Sequence, residues 1–468
     1  MHNLKFINRE SELAWLESCW RAPRAQLLVV YGRRRVGKTS LIERFARDRP
    51  HIYYLCSKGV ETEQLELLSE RVAKVFNDPS LTSNPFRSWD GFFSYIAERS
   101  KQKRFILAID EFPFLVRANP AITSIFLKYW DEMLSKTKIV LILCSSSIAM
   151  MESELLAYKS PLYGRRTGQW KVLPLKFKDV LRFFPKPDVG AAVPFFSVTG
   201  GVPSYLIELD LRRPIAENIR SRIARKGKIL YEEGEFMIKE ELAEPQTYFS
   251  ILKAVAEGRG KQAEIANAIG MSATAITRYL TTLIRLGFLE RRTPVTEKAR
   301  TKRAAYAIAD PFLQFWFRFI YHNKAAIEEQ DHAALERALA GFNRHVGAMF
   351  ERVCAEALHT VKPFDIQKLG PWWGAYRQAG ERKAVEIDIV GLNEQTKEIL
   401  FAECKWREGV NAQRILSELK ERSRHVDWNT GKRKEHYAIF AKSFKKRIKE
   451  PGLLLFDLKA LEKALGKR

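Results

Sequence analysis

The residues Gly32 to Thr39, GRRRVGKT, stand directly between an apolar run, LLVVY, and an amphipathic run, SLIERFAR. This arrangement restricts the fold more than any other feature of the chain. The apolar run has the length of a buried strand, and the run after it carries apolar residues at helical spacing. A tight glycine loop joining the two is the opening of a parallel sheet with crossover helices. Gly32 and Gly37 let the backbone curl so that successive N–H groups face an anion, and the helix start adds its positive dipole end. Lys38 has the reach for β- and γ-phosphates and the Thr39 hydroxyl suits a Mg²⁺ shell, while Arg33, Arg34, Arg35, Val36 and Ser40 complete the loop around the phosphates. The implied ligands are ATP and Mg²⁺.

Three further strands are expected in the first 165 residues: HIYYLCS from His51, RFILAIDEF from Arg104 and KIVLILCSSS from Lys138. A parallel sheet presents ligands at the carboxyl ends of its strands, which is where Asp110 and Glu111 fall. Asp110 is the carboxylate for the Mg²⁺ shell, and Glu111 is the base that polarises the attacking water. Ser145 and Ser146 end the last strand; either hydroxyl reaches the γ-phosphate or the water, or else caps the next helix.

FINRESELAWLE, YGRRRVGKTSLIERF, LAIDEF, LILCSSS, PLYGRRT from Pro161 and VTGGVPSYL from Val198 together resemble the archaeal-type P-loop ATPase family, related to the AAA and STAND branches. The resemblance implies that Asn8, Arg9 and Glu10 lie near the adenine. It also makes Arg165 the arginine that senses or completes the γ-phosphate site, with Arg166 an equal neighbour. The fold class expected is α/β, with a P-loop AAA-type ATPase core over 1–165 and a helical lid over 166–244. A winged helix-turn-helix over 245–309 and a restriction-endonuclease-like α/β domain over 310–468 complete it.

The winged helix is read from KQAEIANAIGMSATAITRYLTTLIRLGFLERR. Ile265 and Ile269 mark a first helix, Gly270-Met271 a turn, and Ser272 the cap of a second helix that buries Ile276, Leu280, Leu283 and Ile284. The other face of that helix offers Thr274, Thr277, Arg278 and Thr281 to a groove and its phosphates. The wing carries Arg291, Arg292, Lys298, Arg300, Lys302 and Arg303, with Arg300, Lys302 and Arg303 expected on DNA phosphates. Winged helices also serve as intramolecular or protein-docking modules.

In the last third, KAVEIDIVGL and EILFAECKW read as adjoining strands that place Asp388, Glu403 and Lys405 in the order D…E-x-K. Alternation puts Glu403 and Lys405 on one face. Two carboxylates holding a divalent ion, with a lysine beside them, suit phosphodiester hydrolysis. This is the pattern of PD-(D/E)xK nucleases, although Ile387 stands where that pattern has proline. Glu351, on the helix FNRHVGAMFERVCAEAL, is a further metal ligand. The segment also resembles the C-terminal domain that accompanies archaeal-type ATPases.

Composition separates the remaining alternatives. The 79 Lys and Arg against 55 Asp and Glu give a formal net charge of +24, which attracts polyanions, double-stranded DNA foremost. No stretch is apolar enough for a membrane span, and the opening MHNLKFINRE has no signal core, so a cytoplasmic location is expected. Five cysteines without a C-x-x-C pair fit reduced thiols. Three readings stand together: an ATP-controlled DNA nuclease, an ATP-switched DNA-binding regulator, and a switch that grips protein partners. Homo-oligomer formation fits any of them.

Overall fold

The computed structural model of the chain describes residues 6–242, 244–298, 301–378 and 381–466. The chain divides into two compact units, one ending at Pro174 and one beginning at Leu175.

The first unit is built on a parallel sheet of β1 (Gln26–Tyr31), β2 (His51–Leu55), β3 (Ile106–Asp110), β4 (Val140–Ser145) and β5 (Gly168–Lys171), in the order β2-β3-β4-β1-β5. β1, β3 and β4 are buried along their whole length, as strands covered by helices on both faces must be. On one face Leu28, Val30, Ile106, Ala108 and Ile142 pack against Leu41, Ile42 and Phe45 of the P-loop helix Lys38–Ala46. Truncating Ile142 to alanine there would cost about 2–5 kcal/mol, because the covered sheet cannot collapse onto the gap. The register sets Tyr31 opposite Ser145 and Ile109 opposite Leu143, so the P-loop, Asp110 and Ser145 emerge along one edge. β5 pairs with β1, so the ATPase sheet continues past the boundary expected at residue 165.

The second unit begins with helices from Phe177 to Glu241, which fall within the segment 166–244 expected as a lid. The aromatic run after Asp310 is a core element here: Phe312, Leu313, Phe315, Trp316, Phe317, Phe319 and Ile320 are all buried. Trp316 Nε1 donates to the Tyr231 carbonyl at 2.7 Å, and the ring lies so close to Gly234 that a Cβ there would be 2.3 Å from Trp316 Cδ2. Among the described residues no helix is long and apolar enough to cross a membrane.

Helices Pro245–Ala256, Gln262–Ala268 and Ile276–Arg285 precede the antiparallel pair β6 (Leu289–Arg292) and β7 (Ala305–Ile308). Ile276, Leu280 and Leu283 are buried, whereas Ile284, expected in the core, is 36% exposed. The buried stripe of so short a helix is narrow, and the neighbouring position falls outside it.

The remainder forms a mixed sheet. Helix Phe342–Val361 leads to β8 (Lys368–Gln378), β9 (Glu381–Asn393) and β10 (Glu398–Lys405), which are antiparallel neighbours. The short β11 (Val410–Asn411) and helix Ala412–Ser423 follow, then β12 (Lys434–Ala441), β13 (Phe444–Lys446) and β14 (Leu453–Phe456). β12 and β14 extend the sheet in parallel, giving the order β14-β12-β10-β9-β8. Gly370 faces Val390 but Trp372 faces Ile387, so Asp388 and Ile389 oppose the single Pro371. This is a bulge in β9, placed where proline offers no N–H to the ladder. It reverses the alternation, which is why Val390 and Leu392 share one core with Val385 and Ile387.

Candidate functional site

The P-loop adopts backbone conformations that its residue types were chosen to tolerate. Gly37 has φ 93°, and at Gly32 a Cβ would lie 2.3 Å from the Val172 carbonyl oxygen. Arg35, at φ 67°, takes the left-handed conformation without being glycine; such strain clusters where a loop is shaped around a ligand. Lys38 is buried at the helix start and its Nζ donates to the Arg33 carbonyl at 3.0 Å, spanning the loop interior.

Thr39 Oγ1 donates to Asp110 Oδ2 at 3.0 Å, and the Tyr53 hydroxyl donates to the same oxygen. Burial, and then the adjacent carboxylate, hold the Tyr53 phenol well above its ordinary range, so it stays a donor. Asp110 Oδ1 accepts the Glu111 N–H at 2.9 Å. Glu111 has φ 53°, which swings its carboxylate toward β4: Ser145 Oγ lies 3.3 Å from Oε2, and the Ser146 N–H lies 3.2 Å from the same oxygen. Both carboxylates are thus held by neutral donors, and their charge remains for a cation and a water.

Arg9 is only 6% exposed and donates to the Val36 carbonyl at 2.8 Å, the Leu173 carbonyl at 2.8 Å and Glu12 at 2.9 Å. It ties the P-loop to the segment after β5. Asn8 Oδ1 accepts the Arg9 N–H at 2.6 Å, and both residues have positive φ. Arg165, expected to sense or complete the γ-phosphate site, lies on the surface with its Nε 2.8 and 3.0 Å from the two Asp131 oxygens. An exposed guanidinium takes the nearest carboxylate. Arg166 donates to the Tyr163 carbonyl and lies over that ring.

In the winged helix, Thr277, Arg278 and Thr281 are exposed on the second helix, whereas Thr274, expected on the same helix, is exposed in the turn before it. Gln262 Nε2 holds its start, donating to the Ala273 carbonyl at 2.6 Å and to Thr277 Oγ1 at 3.0 Å. The wing is not a free basic arm. Val295 N donates to the Pro371 carbonyl at 3.0 Å, Trp372 Nε1 donates to Thr296 Oγ1 at 3.1 Å, and Val295 packs on the core of the C-terminal sheet. Arg303, expected on a DNA phosphate, instead pairs with Glu297 at 2.6 Å and donates to the Trp373 carbonyl. Arg300 lies outside the described residues; Lys302 is exposed.

At the C-terminal carboxylates, Glu403 is 3% exposed. Lys405 Nζ lies 2.5 Å from its Oε1, and Arg422 of helix Ala412–Ser423 lies 2.9 Å from its Oε2 without the alignment of a hydrogen bond. Burial lowers the Lys405 pKa, but Glu403 and then Asp388 outweigh it and raise the net value. The bulge brings Asp388 alongside Cys404, whose N–H its Oδ2 accepts at 2.8 Å. Burial, then the charge of Glu403, lifts Asp388 to about 6. Burial and then Asp388 lift Glu351 to about 8. Asp388 and Glu351 line a groove of about 850 Å³ with Lys176, Lys178, Arg292 and Arg352. Among the described residues no group of three or more His, Cys, Asp or Glu is arranged to hold a metal ion. Glu351, expected as an added ligand, therefore does not complete a three-carboxylate set with Asp388 and Glu403; cations hold Glu403.

The model of an ATPase domain predominantly from Archaea matches residues 6–209, an IclR helix-turn-helix domain matches 248–293, and a family of archaeal and bacterial proteins of unknown function matches 316–422. Uncharacterized protein MJECL04 of Methanocaldococcus jannaschii is 36% identical over 461 residues, 97% of this chain and 99% of its own length. The chain belongs to the archaeal-type ATPase family. The Walker-type ATPase PABY2304 of Pyrococcus abyssi shares the fold, with a TM-score of 0.52, 20% identity, and coverage of 67% of this chain and 96% of its own. The uncharacterized ATP-binding protein MJ0423 of M. jannaschii is 50% identical over 44 residues, 9% of this chain and 75% of its own.

Two residues escaped sequence reasoning, Tyr53 at the ATPase site and Arg422 at the C-terminal carboxylates. Tyr53 reaches Asp110 only because β2 lies beside β3, a pairing with no local signal in the sequence. Arg422 belongs to a helix 19 positions beyond Glu403 and shows no local signal at all.

Proposed function

We propose that the protein binds ATP with Mg²⁺, hydrolyses it, and uses the nucleotide to control its grip on double-stranded DNA through the winged helix. The observation that carries the reading is the contact of Thr39 with Asp110 at 3.0 Å beside Glu111, at the mouth of a strained glycine loop. Backbone N–H groups of Gly32 to Ser40 and the Lys38 ammonium bind the phosphates. Thr39 and Asp110 are the residues that would hold Mg²⁺, which, when bound, neutralises charge on the β- and γ-oxygens. Glu111 takes the proton of the attacking water, and Ser145 and the Ser146 N–H orient its carboxylate. Arg9 positions the loop.

Phosphate release by the purified chain, with duplex binding measured with and without ATP at several salt concentrations, tests this. Lys38→Ala should weaken ATP binding; Glu111→Gln should keep it and stop turnover. A chain whose duplex affinity is the same with ATP, with ADP and with neither is not an ATP-controlled DNA binder.

A second reading has a specific observation behind it. Asp388 stands beside Glu403 and Lys405 and opens on a groove lined by Lys176, Lys178, Arg292 and Arg352, the surroundings a phosphodiester needs. Asp388 and Glu403 would hold a divalent ion weakly, with water and the substrate phosphate filling its shell. Metal-dependent cutting of duplex, nicked or branched DNA, abolished by Asp388→Asn and independent of Glu111, is the expected result; absence of cutting on every form with Mg²⁺ and Mn²⁺ leaves the regulator.

A further inference from the structure

A groove of about 1080 Å³ runs between the wing and the β8–β9 hairpin. Lys261 and Lys302 face it from the winged helix; Tyr376, Arg377, Arg382 and His425 face it from the C-terminal sheet domain. The hairpin pairs Arg377 directly with Arg382. Like charges set opposite one another across two strands are destabilising, so the pair is costly unless an anion lies between them. Neither arginine has a carboxylate within ion-pairing distance among the described residues. Glu297, one of the two carboxylates lining the groove, is occupied by Arg303 at 2.6 Å. The Tyr376 ring is stacked on His425, with centroids 3.9 Å apart and planes at 15°, which fixes the turn end of the hairpin against the segment after helix Ala412–Ser423.

The groove is linked to the second helix of the winged domain through Lys261, one of its lining residues. Lys261 adjoins Gln262, which bonds to Ala273 and Thr277 at the start of that helix. The contacts of Val295, Thr296 and Arg303 with residues 371–373 clamp wing and hairpin together. The winged domain and the hairpin arginines are thus held together, with Lys302, Arg377 and Arg382 on the walls of one groove.

We infer that this groove is a second contact for the backbone of double-stranded DNA, so that the C-terminal sheet domain reads no bases but lengthens the footprint of the winged helix. The inference rests on the DNA reading given above. Its chemistry is phosphate recognition by paired arginines, which make the denser set of donors.

The test uses the full chain and a labelled duplex of about three helical turns, with affinity measured by fluorescence anisotropy from low to moderate salt. Arg377→Ala with Arg382→Ala should reduce affinity roughly tenfold and flatten the salt slope by about 2, one phosphate contact for each arginine. Arg382→Glu alone should lower affinity while holding or raising the melting temperature, because it places a carboxylate opposite Arg377. A purely structural arginine would not give those opposite signs. If the wild type binds duplex and the double variant keeps both affinity and slope, the groove is overturned while the winged-helix reading stands. If Arg278→Ala and the groove variant are both silent because the wild type does not bind duplex, the DNA reading itself is overturned. Tighter binding of single-stranded RNA than of duplex in the same groove-dependent manner also overturns the inference.

Discussion

Replacing Arg9 by methionine tests whether that residue anchors the P-loop or reads the base. Its guanidinium gives hydrogen bonds to the carbonyls of Val36 and Leu173, each 2.8 Å long, and an ion pair to Glu12 whose side chains are 7% and 12% exposed. Hydrogen bonds to a charged group contribute about 1.5–3 kcal/mol each, and breaking a buried pair by removing one partner costs about 3–5 kcal/mol, terms that overlap here because one side chain makes all three contacts. A loss near 4 kcal/mol is expected, a large share of the usual 5–15 kcal/mol stability of a domain. Val36 sits inside the loop, so its freed carbonyl leaves one or two residues to be ordered on binding, at about 1–2 kcal/mol each. ATP affinity should fall about tenfold, and GTP affinity by the same factor. Urea unfolding gives the first number, and calorimetry in a Glu111→Gln background gives the second. The double variant Arg9→Met with Glu12→Leu should recover part of the stability, since no carboxylate is then stranded. Unfolding within 1 kcal/mol of the parent, together with a loss of affinity for ATP but not GTP, would refute the anchor and return Arg9 to the adenine.

Glu111→Gln should lower phosphate release by about 10²–10⁴ while leaving ATP bound, as the loss of a general base predicts; the parent rate in that variant would reassign the base. Lys405→Met should destabilise the second unit by about 2–4 kcal/mol, discounted from a fully buried pair because Lys405 is 26% exposed; the double variant with Glu403→Leu should be milder, and chemical unfolding reads both. His345 supplies a pH dependence. Its Nε2 bonds to the Ser197 carbonyl at 2.8 Å, and burial lowers its pKa to about 4 from an ordinary 6.5. The unfolded chain then binds the proton more readily, so stability is fully present above about 6.5 and falls as pH drops toward 4, by about 3 kcal/mol in all. Urea midpoints at pH 7 and pH 4.5 check this, and a His345→Gln variant should flatten the difference.

The features legible in the sequence were those carried by contiguous residues. Gly32, Gly37, Lys38 and Thr39 lie in one loop, and Asp110 and Glu111 end one strand, so motif and position coincide. What escaped depends on partners distant in the chain. Strand alternation alone could not place Asp388, because the bulge that turns it exists only where Pro371 of β8 faces β9. The wing cations read as phosphate contacts, yet Arg303 is taken by Glu297 and Trp373 once residues 371–373 lie against the wing. Charge density along a sequence counts side chains; it does not say which of them a fold has already neutralised. The same applies to the sheet boundary near residue 165, since β5 is only four residues long and becomes a strand through β1.

The two carboxylate sites differ in what holds them, and the difference bears on how each would accept a metal. Asp110 and Glu111 receive hydrogen bonds from hydroxyls and backbone N–H groups, neutral donors that leave a carboxylate's charge on the oxygens an arriving Mg²⁺ would meet. Glu403 is already contacted by two cations, Lys405 and Arg422, inside the protein. An ion entering beside Asp388 must share Glu403 with them or displace them, against their full attraction in a buried setting. The group suited to draw a lysine and an arginine away from a carboxylate is a phosphate, which offers both more charge and more acceptors. On that balance the first site should bind metal with nucleotide as a matter of course. The second should show metal affinity only once a nucleic-acid backbone has entered the groove beside Asp388. Titrating Mn²⁺ with and without a non-cleavable duplex therefore separates an active phosphodiesterase from an inert fold more sharply than metal alone.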